Sequence, residues 1–157
     1  MYIAFLRHGH ALDVFTAKVS QDSMRPLSDL GKKQVLSSLI ELKNLGFTPE
    51  IIISSPYRRA VETAKIAALH FDKPEIVHCE ELTGQDTESA LSAISLISSG
   101  RNALIVGHQP LLKFMASHIS EEENIELPTA GFALIDVDDK KEFKGKLKYN
   151  RKNGEYN

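Results

Sequence analysis

Short apolar runs punctuate the chain, and each one stops at a cluster of polar residues and glycine. The first, Tyr2-Ile3-Ala4-Phe5-Leu6, ends at Arg7-His8-Gly9-His10; the second, Ile51-Ile52-Ile53, ends at Ser54-Ser55-Pro56-Tyr57-Arg58-Arg59. A weaker run, Glu75-Ile76-Val77-His78, is followed by Ala103-Leu104-Ile105-Val106, which ends at Gly107-His108-Gln109-Pro110. Runs this short, rich in β-branched residues and lacking strict alternation, predict strands covered on both faces. Helical spacing fills the intervals. Ser28 caps a predicted helix reaching about Leu45, with Val35, Leu36, Leu39, Ile40 and Leu42 as its apolar face and Gly46 as its stop. Pro56 suits the first turn of a second helix through Ala60, Ala64, Ile66, Ala67 and Leu69, which places Arg59 in that first turn. Further helices are predicted over 87–98 and 111–118. Two closing strands, 132–137 and 143–149, are joined by the charged Asp138-Asp139-Lys140-Lys141. Residues 13–26 read as a polar loop over the strand ends, Glu121-Glu122-Glu123 as a solvated acidic loop, and 150–157 as a fraying tail.

Strands alternating with helices predict an α/β fold: a three-layer α/β/α sandwich with a mainly parallel central sheet and right-handed crossovers. Parallel strands point their carboxyl ends to one edge, where ligands of such sheets bind. Arg7-His8, residues 55–59 and Gly107-His108 then converge. Two arginines and two histidines crowded together repel one another unless a multivalent anion joins them, so the expected ligand is a phosphoryl group.

At 157 residues the chain has the length of one domain, 1–157, and its 42% hydrophobic and 25% charged residues suffice for an ordinary core. The net charge of −2 gives no global attraction to nucleic acid, so any anion site is local. The one cysteine, Cys79, excludes an internal disulfide and a multi-cysteine zinc site. With no signal-like leader and no apolar segment of membrane-spanning length, the expectation is a soluble cytoplasmic monomer that binds neither nucleic acid nor membrane. His10 is two residues from His8, but no carboxylate or cysteine completes a metal-ligand spacing, so His10 is expected to line the pocket instead. Cys79 reads as a packed side chain, Arg58 as a surface residue, and His70, His78 and His118 as surface or helix-end histidines.

Three motifs, in order, resemble those of the histidine phosphatase superfamily, also called phosphoglycerate mutase-like. Leu6-Arg7-His8-Gly9 is similar to the family's Arg-His-Gly signature, residues 54–64 (SSPYRRAVETA) to its second-arginine helix start, and Val106-Gly107-His108 to its second-histidine strand end. Residues 22–31 (DSMRPLSDLG) and the short length resemble the compact phosphohistidine phosphatase branch, often called SixA-like. The resemblance runs from residue 1 to about 137. It implies a phosphoglycerate mutase-like fold and a metal-independent phosphatase without cofactors. His8 would be the nucleophile forming a phosphohistidine intermediate, and Arg7, Arg59 and His108 would bind the phosphoryl oxygens. Gly9, Arg25 and His10 would complete the substrate site.

Two departures from the family pattern concern the proton donor. No asparagine follows the first motif, which continues His10-Ala11-Leu12-Asp13, and the chain lacks the tryptophan of the family's acid-bearing loop. Glu81 is the candidate general acid, with Asp86 in the same region; either reads equally as a surface carboxylate. A phosphohistidine substrate, whose imidazole leaves readily, lessens the need for an acid. The resemblance therefore implies removal of phosphate from a histidine-containing phosphotransfer protein. A small-molecule phosphomonoesterase of the same superfamily and a non-catalytic phosphate-binding module are the alternatives.

Overall fold

In the computed structural model, which describes residues 1–152, one sheet of six strands runs through the molecule in the order β3-β2-β4-β1-β5-β6. β1 (Tyr2–Arg7), β2 (Ile51–Ser54), β3 (Glu75–His78) and β4 (Ala103–Gly107) are mutually parallel. β5 (Phe132–Asp139) lies antiparallel to β1, and β6 (Lys144–Arg151) antiparallel to β5. Hence the sheet is parallel where the chain alternates strand with helix and antiparallel where two strands follow each other directly.

The strands' two-residue period divides the apolar side chains between two cores. On one face Ile3, Phe5, Ile51, Ile53, Ile105 and Ile135 pack against α4 (Thr87–Ser98) and α5 (Leu111–Ser120). On the other, Ala4, Leu6, Ile52, Leu104, Val106 and Leu134 pack against α2 (Asp29–Asn44) and α3 (Arg58–His70). Two-sided burial is why the strands read as unbroken apolar runs. α2 begins where expected, with the Ser28 hydroxyl accepting from Gly31 N.

Several expectations are corrected. Only Val35, Leu39 and Leu42 of the expected α2 face are buried. Leu36 and Ile40 are exposed, because each sits one residue, about 100° of helix, beyond the i, i+4, i+7 stripe. Leu69 of α3 is likewise exposed. α3 starts at Arg58 with Tyr57 as its N-cap, so Pro56 precedes the helix. The 13–26 segment is not irregular throughout: it contains α1 (Val14–Ala17), capped by the Asp13 carboxylate, and a 3-10 turn at Asp22–Met24. The tail does not fray at 150. The Asn150 amide donates to Glu126 O and Phe132 O, and Arg151 ends β6 with its guanidinium 2.6 Å from the Glu41 carboxylate. The rest of the expected tail, 153–157, lies outside the described residues. Among the described residues no helix is long and apolar enough to cross a membrane.

Candidate active site

Register brings the chemistry together. Arg7 at the end of β1 pairs with Gly107 at the end of β4, and Ser54 at the end of β2 pairs with Val106 of β4, so the next residues of all three strands emerge side by side. His8 remains tied to the sheet edge, its N–H donating to Gly107 O (3.1 Å) and its carbonyl accepting from Ala130 N (3.0 Å). The turn that follows is held by the helices of one layer. Gly9 N donates to Thr63 Oγ1 of α3 (3.3 Å), and His10 N to Gln34 Oε1 of α2 (3.0 Å). Glycine is required at position 9 because a Cβ there would meet Gly31 O at 2.5 Å and Val35 Cγ2 at 2.9 Å.

His8 is buried, 8% exposed as a residue. Its Nδ1 lies 2.7 Å from Gly9 O; a carbonyl only accepts, so Nδ1 carries the proton and Nε2 presents its lone pair. Arg59 Nε donates to that lone pair at 3.3 Å. Burial pushes the His8 pKa down to about 3; the bond to the Gly9 carbonyl opposes the shift, while His108, Arg59 and Arg7 deepen it. At neutral pH the ring is therefore uncharged although it stands beside guanidinium groups.

His108 stands 5.2 Å from His8, centroid to centroid, and 5.0 Å from the Tyr57 ring. Its Nε2 pairs with Ser55 Oγ at 2.7 Å, and its Nδ1 is buried with no partner among the described residues. Burial and then Arg59 lower its pKa to about 4, against the pull of Asp22. Arg7 donates from Nη1 to Leu127 O (3.3 Å), and its Nε is also buried without a partner among the described residues. Burial and Arg59 depress the Arg7 pKa. The buried Arg7 Nε–H left unpaired and the cations set against each other cost free energy that an anionic oxygen ligand would return.

These groups line a cavity of about 250 Å³. Of the residues expected in the site, Arg7, His8, His10, Arg25, Arg59 and His108 all line it. His10 is anchored through Nδ1 to Ser28 Oγ at 2.7 Å, and Arg25 through Nε to Leu12 O at 2.7 Å. Two expected residues do not line it. Gly9 faces α2, and its carbonyl serves His8. The Glu81 carboxylate instead accepts from the Cys79 thiol at 3.3 Å, because Glu80–Thr83 winds into a 3-10 turn beyond β3, the outermost parallel strand. Asp86 is the N-cap of α4.

Sequence reasoning passed over Gln109 and Thr129, which line the cavity, and Asp22, which pairs with Arg59 at 3.0 Å and with Arg25 at 3.1 Å. Gln109 follows His108 directly and could have been found from that adjacency. Asp22 opens the 22–31 segment that resembles the SixA-like branch and could have been singled out from that motif, whereas nothing local marks Thr129. Among the described residues no three or more His, Cys, Asp or Glu side chains are grouped to hold a metal ion. The arrangement is suited to bind a tetrahedral oxyanion and to attack its central atom from His8 Nε2.

The family model described as histidine phosphatase superfamily (branch 1) matches residues 3–88, more than half of the chain. No curated protein matches the sequence. Among solved structures, the protein histidine phosphatase SixA complexed with tungstate superposes with a TM-score of 0.82 at 23% identity, covering 97% of each chain. A SixA candidate from Agrobacterium tumefaciens gives 0.79 at 22% identity over 95% of this chain and 96% of that one. Phosphoserine phosphatase from Entamoeba histolytica, in complex with 3-phosphoglyceric acid, gives 0.70 at 15% identity over 97% of each. At these identities the likeness is one of fold.

Proposed function

The chain belongs to the histidine phosphatase superfamily, and from that premise we propose that it is a metal-independent phosphatase acting through a covalent phosphohistidine on His8, with phosphohistidine of a phosphotransfer protein as substrate. The observation that carries the reading is the His8 to Arg59 contact: an uncharged imidazole nitrogen whose lone pair accepts from a guanidinium Nε at 3.3 Å, in a cavity lined by arginines.

In the first step His8 Nε2 forms a bond to phosphorus as the substrate's P–N bond breaks, and the substrate's imidazole leaves neutral because its other ring nitrogen already carries a proton. Arg7, Arg59 and His108 hold the three equatorial oxygens, where charge resides in a loose phosphoryl transition state. A phosphoryl dianion beside His108 favours its protonated form, which makes a better donor. In the second step water attacks phosphorus, phosphate departs, and the His8 lone pair is restored. The His8 Nδ1 bond to Gly9 O keeps Nε2 aimed and supports the positive charge the ring carries while phosphorylated. Among the described residues no carboxylate lines the cavity as a proton donor, which favours a leaving group that departs readily, such as imidazole.

A protein substrate is supported by the rim. Phe15, on the segment between cavity residues Ala11 and Arg25, is 91% exposed, and Met24 is 44% exposed. Neither residue lines the 250 Å³ cavity, and a folded partner seated on that segment would cover both. The test is turnover of a phosphorylated histidine-phosphotransfer domain, a generic phosphoramidate and a generic phosphomonoester in the presence of chelator. The expected result is a specificity constant highest for the phosphodomain, and no turnover by His8→Ala. Equal or better turnover of a metabolite phosphomonoester would move the assignment to small molecules. Undiminished turnover by His8→Ala would overturn the mechanism.

A further inference from the structure

We propose that Asp22 is a positioning residue, holding the Arg59 guanidinium against His8 and so coupling the rim segment to the reaction centre; this rests on His8 being the nucleophile. Arg59 spends its nitrogens in two directions. Nε points to His8 Nε2 at 3.3 Å, while Nη1 donates to Asp22 O at 2.9 Å and Nη2 to Asp22 Oδ2 at 3.0 Å. One residue thus grips the outer fork of the guanidinium through both its backbone and its side chain.

The grip is itself anchored. The other Asp22 oxygen, Oδ1, accepts from Arg25 Nη1 at 3.1 Å, and Arg25 is fixed to the backbone by Nε to Leu12 O at 2.7 Å and Nη2 to Ala11 O at 3.3 Å. An unbroken chain of contacts therefore runs from the β1–α1 connection through Arg25, Asp22 and Arg59 to the His8 lone pair. Arg25 and Arg59 line the cavity, but Asp22 does not, which places it behind the groups that would meet substrate. Burial opposes its charge, yet its bonds to Arg25 and Arg59 hold its pKa below the usual carboxylate range, so the bridge stays ionised at neutral pH. The Asp22 side chain is 60% exposed and that of Arg59 only 10%. A pair so lopsided in solvent contributes little to folding, and its use is orientation: arginine has several rotatable bonds, and fixing the fork in advance spares that entropy when the transition state forms.

A double-mutant cycle tests the idea. Asp22→Ala is expected to lower kcat on a phosphoramidate about ten- to hundredfold with KM changed less than about threefold, since the oxygens gain charge in the transition state. In an Arg59→Ala background the same substitution should cost less than about twofold, because there is no guanidinium left to position. Asp22→Glu should recover part of the loss. Circular dichroism melting of each variant separates misfolding from mispositioning. A kcat for Asp22→Ala within threefold of the parent, or a full additive loss in the Arg59→Ala background, overturns the proposal. Absence of turnover by the parent protein, or full turnover by His8→Ala, would instead remove the phosphatase reading on which it rests.

Discussion

Acid titration of the nucleophile gives the sharpest test of the buried site. An ordinary imidazole with a pKa of about 6.5 is only ~10% neutral at pH 5.5, and an enzyme relying on it would lose about tenfold in kcat/KM between pH 7.5 and pH 5.5. His8 has its pKa pushed down to about 3, first by burial, so it stays neutral throughout that range. The expected kcat/KM profile, once the substrate's own ionisation is divided out, is flat to within twofold down to pH 5.5. The same shift must appear in stability. His8 and His108, at about 3 and about 4, lie below the unfolded value, so below pH 6.5 the unfolded chain takes up protons that the folded one refuses. Stability from these two groups is complete above about 6.5 and is lost as pH falls toward 4 and 3. From pH 7 to pH 5.5 the loss is about 1 kcal/mol for each histidine, or about 2–3 kcal/mol together. Denaturant unfolding followed by far-UV circular dichroism reads it, the chain having no tryptophan to report by fluorescence. His8→Ala should remove roughly half of the acid sensitivity. An acid limb in kcat/KM centred near 6.5, with stability unchanged over the same range, would show that the His8 ring is solvated and that the desolvation argument is wrong.

Two other variants probe the surroundings. Gly9→Ala places a Cβ 2.5 Å from the Gly31 carbonyl oxygen of α2, a backbone atom that cannot swing aside. It should destabilise the protein by about 1–3 kcal/mol in chemical denaturation, and an unchanged midpoint would refute the close packing of the β1 end on α2. The Cys79 thiol is buried and its pKa is raised to about 11 by burial and then by Glu81, so only ~0.1% is thiolate at pH 8. Iodoacetamide should leave native protein unlabelled and fully active while alkylating it in denaturant; rapid labelling of the native chain would contradict this.

The local pattern determined much of this molecule. Apolar runs without alternation gave two-sided strands, Ser28 gave a helix start, and the alternation of strand with helix gave the parallel sheet, because burial and capping are read within a few residues. Once the sheet is parallel, the placement of Arg7, His8, Arg59 and His108 at one edge follows from strand polarity. What the pattern could not decide was phase and partnership. Leu36 and Ile40 are as apolar as Val35 and Leu39, and only the rotation of α2 on the sheet decides which pair is buried. Arg151 belongs to β6 because Glu41, 110 residues away along the chain, meets its guanidinium. Glu81 and Asp22 show the same division at the site. Both are acidic residues in polar segments, but a 3-10 turn beyond the outermost parallel strand turns Glu81 to Cys79, while the 13–26 segment folds back so that Asp22 reaches Arg59. The His8 pKa is likewise a tertiary property: desolvation is set by what the rest of the chain packs around the ring, and no neighbour in sequence supplies it.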